Sequence, residues 1–208
     1  MGELTFLVGG ARSGKSSYAL RLARASGAAV TFVATAEARD AEMADRIARH
    51  QAERPAGWGL IEEPIDLAGA LARVPADTFA IIDCLSLWIS NLLELGLADD
   101  EIDERARGLA LVTRARDGAT VVVGNEVGMG IVPLGELTRR YRDALGRANL
   151  RLADDADRAL LVVAGRGLTL DRLEPRSEPT SAGGVVPGGP PLAHHSPDPH
   201  ATRRNGLP

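Results

Sequence analysis

One lysine and the glycines before it form the most chemically informative pattern in this chain. The pattern G-x-x-x-x-G-K-[ST], which binds nucleotide phosphates, is matched by Gly9, Gly10, Ala11, Arg12, Ser13, Gly14, Lys15 and Ser16. Lys15 is the single lysine among 24 basic residues, the others being arginines. An ammonium is a compact point charge that fits between β- and γ-phosphates, whereas a planar guanidinium does not. We therefore expect a nucleoside triphosphate to bind at this loop.

The geometry of such a loop suggests a role for each part. Its backbone N–H groups point inward at the phosphate oxygens, and the helix that follows adds the positive end of its dipole. We expect Lys15 to bridge the β- and γ-phosphates and the Ser16 hydroxyl to bind Mg²⁺. Asp83 ends an apolar strand at the edge where parallel sheets bind ligands, so it is the second candidate metal ligand. The alternative for Asp83 is an aspartate that caps the next helix.

A single histidine, His50, lies outside the C-terminal segment. It belongs to a predicted helix that Asp40 caps and that runs to about Glu53, where it shares a face with Met43 and Ile47. Position alone favours a histidine packed at the end of an apolar stripe. Because imidazole is also a competent nucleophile near neutral pH, a catalytic role stays open.

The elements that must position these groups alternate between strands and helices. Short apolar runs are predicted as strands at 4–8, 30–34, 78–83, 120–124 and 158–164, with a further candidate strand at 167–170 and a short element of unassigned type at 59–62. Helical periodicity is found at 16–25, 40–53, 85–93, 100–117 and 136–154. This alternation predicts an α/β fold with a mainly parallel sheet flanked by helices.

Composition sets the domain boundary and excludes several partners. Residues 1–173 are predicted to form one domain, and residues 174–208, with eight of the 12 prolines, a disordered Pro/Gly-rich tail. A net charge of −4 gives no electrostatic footprint for nucleic acid. We expect no membrane span, because no apolar stretch is long enough. With Cys84 as the lone cysteine, a cytoplasmic location is expected.

Five segments, taken together in order, resemble a known family. They are Gly-Gly-Ala-Arg-Ser-Gly-Lys-Ser at 9–16, Ala-Thr-Ala-Glu at 34–37, Glu-Met-Ala-Asp-Arg-Ile-Ala-Arg-His at 42–50, Arg-Pro-Ala-Gly-Trp at 54–58 and Asn-Glu-Val-Gly-Met-Gly-Ile-Val-Pro at 125–133. The chain resembles the bifunctional adenosylcobinamide kinase / adenosylcobinamide-phosphate guanylyltransferase family of cobalamin biosynthesis over roughly residues 3–170. The segments at 42–50 and 125–133 are far more specific than the phosphate loop.

This resemblance implies a fold, an assembly and two reactions. The fold is RecA-like, of the P-loop NTPase type, and the assembly is a homotrimer. In the first reaction ATP or GTP phosphorylates adenosylcobinamide. In the second, GMP passes from GTP through a histidine intermediate to that phosphate, which gives adenosylcobinamide-GDP and pyrophosphate.

The resemblance also implies site residues. The histidine that carries GMP falls on His50, and Lys15 serves both reactions. Beyond the phosphate loop, the family's GTP contacts fall on Thr35, Ala36, Glu37, Gln51, Ala52, Glu53, Arg54, Glu62 and Asp83. Some relatives have glutamate at the position of Asp83.

The residues by themselves leave other readings open. One is a monofunctional small-molecule kinase in which His50 is structural. Another is a nucleotide-binding module that oligomerises or regulates and uses the triphosphate as a switch. The loop at 125–133 is interpreted either as a segment that moves over a substrate or as a structural turn or subunit contact, and no catalytic residue is assigned to it.

Overall fold

A seven-stranded sheet lies at the centre of the computed structural model, which describes residues 2–52 and 54–173. Its strands are β1 (Leu4–Val8), β2 (Val30–Ala34), β3 (Gly59–Glu62), β4 (Phe79–Asp83), β5 (Thr120–Val123), β6 (Arg158–Val163) and β7 (Arg166–Thr169). The spatial order is β3-β2-β4-β5-β1-β6-β7. All neighbouring strands run parallel except β6 and β7. The predicted α/β fold with a mainly parallel sheet is confirmed.

Helices cover both faces of this sheet. Within the described residues they are α1 (Lys15–Ser26), α2 (Ala41–Ala52), α3 (Leu67–Ala72), α4 (Leu85–Glu94), α5 (Asp99–Ala115) and α6 (Glu136–Asp155). Successive side chains of β1 enter different cores: Phe6 packs with residues of α3 to α6, whereas Leu7 packs with residues of α1. Every residue of β1 is buried, as expected of a strand covered on both faces.

The helix that follows β4 is the most deeply buried. Leu85, Ile89 and Leu92 of α4 are fully buried, and so is Trp88, whose indole Nε1 donates to the Ile65 carbonyl oxygen at 2.7 Å. Each large apolar side chain removed from water contributes about 2 kcal/mol. This helix is therefore a rigid support for the end of β4 and for the loops packed against it.

The short element at 59–62 is a strand, β3, and the other predicted elements match the observed ones with one omission. The six-residue helix α3 was not predicted, because a single turn and a half is too short to show helical periodicity. Asp66 caps it by accepting from the Gly69 N–H at 3.0 Å. The predicted cap of α2 is confirmed, since the Asp40 carboxylate accepts from the Met43 N–H at 2.7 Å.

Strand order decides what meets at the carboxyl edge of the sheet. Because β1, β2, β4 and β5 are parallel, the phosphate loop, the loop after Ala34, Asp83 and the loop after Val123 all leave from that edge. The strand β5 stands between β1 and β4, which is the RecA-like P-loop arrangement. The predicted fold type is thereby confirmed, and ligands are expected along this edge.

Two predictions from the sequence concern residues that the structure does not describe. The predicted tail, residues 174–208, and the predicted GTP contact Glu53 lie outside the described residues. In the part of the chain that the structure describes, no helix has the length and apolar character needed to cross a membrane.

Candidate active site

The phosphate loop connects β1 to α1 and closes around its own lysine. Lys15 is buried, with 5% of the residue exposed. Its ammonium donates to the carbonyl oxygens of Gly9 at 2.9 Å and Gly10 at 2.7 Å. A Cβ atom at Gly9 would lie 2.2 Å from the Val162 carbonyl oxygen, so only glycine fits there. The loop thus holds its cation where a phosphate oxygen can replace a carbonyl oxygen.

The start of α1 completes the anion site. Gly14 precedes the helix and has no side chain to cap it, so the N–H groups of the first turn can bind an anion. Ser16 is the second residue of the helix and is half-buried. The loop and the helix together therefore offer backbone donors, an ammonium and a hydroxyl to one triphosphate.

A cleft at the same edge of the sheet, above β2 and β4, brings together residues from several segments. It is lined by the ends of β2, β3 and β4, by one face of α2 and by the start of α4. Its lining residues are Phe32, Ala34, Ala36, Met43, Ile47, His50, Arg54, Glu62, Asp83, Cys84 and Leu87. Five predicted site residues lie in this lining: Ala36, His50, Arg54, Glu62 and Asp83.

The imidazole of His50 reaches this cleft because of the helical spacing of α2. Met43, Ile47 and His50 line the cleft from successive turns, and all three are half-buried. From the sequence alone, this apolar face of α2 is expected to pack in a core. In the structure it covers the cleft. His50 is therefore accessible to a ligand.

Arg54 is the cation of the cleft. Its guanidinium lies 4.5 Å from the centroid of the Phe32 ring, and its Nε donates to the His50 carbonyl oxygen at 3.1 Å. Burial lowers the pKa of Arg54, whereas the negative charges of Glu62 and Asp83 raise it. The guanidinium is thus fixed between His50 and two carboxylates, where it can bind a phosphate.

The two carboxylates flank one residue of the sheet. Ala34, the last residue of β2, pairs with Glu62 of β3 on one side and with Asp83 of β4 on the other. Both strands end at these residues, so both carboxylates reach the wall of the cleft. This arrangement suits recognition of N–H donors on a base or coordination of a cation.

The remaining predicted contacts lie outside this lining. Thr35 is fully buried; its hydroxyl donates to the Cys84 carbonyl oxygen at 2.9 Å and accepts from the Cys84 N–H at 2.8 Å. Glu37 pairs with Arg39. Gln51 and Ala52 are exposed on the last turn of α2. The Thr35 side chain thus joins β2 to β4.

The residues predicted to hold Mg²⁺ have suitable chemistry. Ser16 offers a hydroxyl and Asp83 a carboxylate, and Mg²⁺ prefers such oxygen ligands, binding through one or two of them together with substrate phosphates. The half-buried Asp83 lies in the wall of the cleft. The donor set at this edge therefore fits the ion.

The loop between β5 and α6 adjoins the phosphate loop on the side that faces the cleft. The Glu126 N–H donates to the Gly9 carbonyl oxygen at 3.0 Å, and the Asn149 side chain donates to the Asn125 carbonyl oxygen at 2.9 Å. Beyond this anchored base the loop exposes large apolar side chains, with Ile131 at 96% and Leu134 at 98%. A contiguous apolar surface of this kind is typical of a binding interface.

Sequence reasoning missed the apolar part of the cleft. Phe32, Met43, Ile47, Cys84 and Leu87 line it but were not predicted as site residues. The signal for Met43 and Ile47 was present, since they share a helical face with His50. No local signal marks Phe32, because its contact with Arg54 depends on how the chain folds back.

Comparison with known proteins identifies relatives of this chain. The model of a family described as cobinamide kinase / cobinamide phosphate guanyltransferase matches residues 5–170. A bifunctional adenosylcobalamin biosynthesis protein, CobP of Pseudomonas aeruginosa, is 45% identical over 79% of this chain and 95% of its own length. The bifunctional protein CobU of Salmonella typhimurium is 36% identical over 80% of this chain and 99% of its own length.

A solved structure, that of the RadB recombinase, is more distant. It aligns with a TM-score of 0.45 and 18% identity, over 77% of this chain and 74% of the recombinase chain.

Proposed function

The chain belongs to the cobinamide kinase / cobinamide phosphate guanyltransferase family, and from this premise we propose how its residues perform the two reactions. The first is transfer of the γ-phosphoryl group of ATP or GTP to the hydroxyl of adenosylcobinamide. The second is transfer of GMP from GTP to the new phosphate, with release of pyrophosphate. We assign both to residues 1–173.

The phosphate loop carries the kinase step. The Lys15 ammonium exchanges its bonds to the Gly9 and Gly10 carbonyl oxygens for bonds to the β- and γ-phosphates. The N–H groups of the loop and of the first turn of α1 hold the same oxygens in line. Mg²⁺ held by Ser16 and Asp83 would add charge neutralisation between the phosphates.

His50 carries the guanylyl step. Its neutral imidazole nitrogen attacks the α-phosphorus of GTP, the α–β bridging bond breaks, and pyrophosphate leaves with the electron pair. The phosphate of adenosylcobinamide phosphate then attacks the same phosphorus, and the imidazole leaves from it. Arg54, fixed beside His50, stabilises the negative charge that develops on the phosphoryl oxygens.

The order of strands makes a shared nucleotide site feasible. The cleft lies above β2 and β4, and the phosphate loop leaves from β1, two to three strands away. At about 4.8 Å per strand the separation is roughly 10–14 Å, which is about the length of a nucleoside triphosphate. A GTP molecule can thus lie along this edge, with its terminal phosphates on the loop, its nucleoside toward the cleft and its α-phosphate between the loop and His50.

The opening of His50 into the cleft beside Arg54 is the observation that carries this proposal. The experiment is incubation of the purified chain with α-labelled GTP, followed by acid and alkali treatment. We expect one GMP per chain through a bond that acid breaks and alkali leaves intact. Adding adenosylcobinamide phosphate should move the label to the corrinoid, and a protein that takes up no label would contradict the guanylyl step.

The assembly is part of the same proposal. We propose that the chain forms a homotrimer and that the exposed apolar loop after β5 lies in its interface. The support is the exposure of Met129, Ile131, Val132 and Leu134 within six residues that carry no charge. A cytoplasmic location, which the lone Cys84 permits, belongs to this proposal as well.

A further inference from the structure

Helix α2 carries His50 but is held in place by little burial. None of its side chains that the structure describes is buried, and its apolar face covers the cleft. Most of the stability of a short protein helix comes from packing of such a face against a core. The position of α2 must therefore depend strongly on what holds its two ends.

The C-terminal end is held from within the site. Arg54 stacks on Phe32 and donates to the His50 carbonyl oxygen. The N-terminal end is held by residues 35–40, which join β2 to the helix and are fastened by side chains outside the cleft lining. One side chain of α4 is central to the hydrogen bonds that hold that segment in place.

That side chain is Asn91, a buried amide in an apolar helix. It is 4% exposed, and its Nδ2 donates to the carbonyl oxygens of Thr35 at 3.0 Å and Pro64 at 3.1 Å. Its Oδ1 accepts from the Arg39 guanidinium at 2.9 Å. Both amide hydrogens and the carbonyl oxygen are thus used, and the side chain joins the loops after β2 and β3 to α4.

Arg39 continues this network of polar contacts to the protein surface. Its guanidinium also pairs with Glu37 in its own segment and with Glu94 at the end of α4. Arg39 stands two residues before the first residue of α2. Neither Asn91 nor Arg39 lines the cleft, so any effect they have on the chemistry acts through the helix.

Resting on the proposed function, the geometry points to Asn91 and Arg39 as positioning residues for the guanylyl step. They fix the start of α2 and so set how His50 meets the α-phosphate, whereas the kinase step relies on the phosphate loop and α1. Small displacements of a reacting group lower rates strongly. Loss of the contacts made by Asn91 and Arg39 should therefore slow GMP transfer to His50 more than it slows phosphorylation of adenosylcobinamide.

The test compares both half-reactions in two variants. Asn91→Leu keeps the branched shape of the side chain but removes all three hydrogen bonds, and Arg39→Gln removes the ion pairs at the surface with little risk to folding. We expect GMP labelling from GTP to slow by about tenfold in Asn91→Leu and by a smaller factor in Arg39→Gln, with phosphorylation of adenosylcobinamide changed less than about threefold. Arg107→Gln on α5, which removes an exposed ion pair with Glu104, is the control and should leave both rates unchanged.

A second measurement separates this inference from the proposed function. Amide hydrogen exchange over residues 41–52 should be faster in both variants than in wild type and unchanged in Arg107→Gln. If the wild-type protein takes up no GMP, the proposed guanylyl step fails. The exchange data then still test whether Asn91 and Arg39 hold α2 in place. Equal losses of both half-reactions, or unchanged labelling together with unchanged exchange in α2, would overturn the assignment.

Discussion

The backbone N–H of Gly165 donates a hydrogen bond to the carbonyl oxygen of Ser13 at 2.8 Å. The turn between β6 and β7 therefore supports the phosphate loop from the side opposite the His50 cleft. Gly165 has a φ of +74°, a conformation that costs a side chain with a Cβ branch about 1–2 kcal/mol. This contact makes the shape of the loop depend on a turn far along the chain.

Replacing Gly165 with valine should weaken nucleotide binding. The branched side chain disfavours the positive φ, so the turn shifts and its bond to Ser13 is lost. We expect a severalfold higher KM for GTP and a loss of about 1–2 kcal/mol in the free energy of unfolding. Gly165→Asn, which tolerates positive φ, is the matched control. Identical KM values for the valine and asparagine variants would show that the turn does not support the loop.

Replacing Lys15 with alanine should impair both reactions, because both place phosphates on the same loop. The loss is expected to be on the order of 3 kcal/mol of transition-state stabilisation, or about a hundredfold in kcat/KM. Lys15→Arg should not restore activity, since the planar guanidinium does not fit the space between Gly9 and Gly10. Steady-state kinetics of each half-reaction provide the measurement. Turnover in Lys15→Ala at the wild-type rate would remove the loop from the mechanism.

Replacing His50 with alanine should separate the two reactions. Covalent labelling by GTP and transfer of GMP should be abolished, because no imidazole remains to attack the α-phosphorus. Phosphorylation of adenosylcobinamide should be largely kept. The neighbouring variant Arg49→Ala, whose side chain is exposed, serves as the control and should still take up GMP. Label on the His50→Ala protein would identify another residue as the nucleophile.

Glu63 should give the fold a dependence on acid. Its carboxylate accepts from the N–H groups of Asp66 at 2.9 Å and Ile65 at 3.1 Å, and these bonds lower its pKa. Since the folded-state pKa lies below the unfolded-state value, this stability is complete above the unfolded-state pKa and is lost as the pH falls through the folded-state pKa. Glu63→Gln should therefore cost about 1 kcal/mol at neutral pH and much less near pH ~3. Denaturant titrations of both proteins at the two pH values test this; an equal difference at both would contradict it.

The double variant Ile131→Ser, Leu134→Ser should lower the mass of the assembly. These side chains are the most exposed of the apolar loop after β5, and burying them against another copy would supply the hydrophobic free energy of association. Light scattering coupled to gel filtration measures the mass. Leu111→Ser, an exposed leucine on α5, is the control and should leave it unchanged. A monomeric wild type, or a double variant of unaltered mass, would exclude this interface.

Much of the fold could be predicted from local patterns in the sequence. The phosphate loop could be predicted because its function depends on consecutive residues, whose backbone conformations glycine and the following helix determine. Most of the strands could be predicted because they are short apolar runs, whereas β3 (Gly59–Glu62) is not such a run and its type could not be read from its residues. Even the cap at Asp40 follows from a residue and its neighbour three positions on.

The candidate site depends on contacts between distant segments, which local patterns do not contain. Sequence placed His50 on an amphipathic helix, but only the tertiary structure shows that the helix covers a cleft and not a core. The stacking of Arg54 on Phe32 and the fastening of Arg39 by Asn91 likewise arise from the order of the strands. That order is set by the packing free energy of the whole chain. For this reason the residue types identified the chemistry, and the fold decided which of them meet.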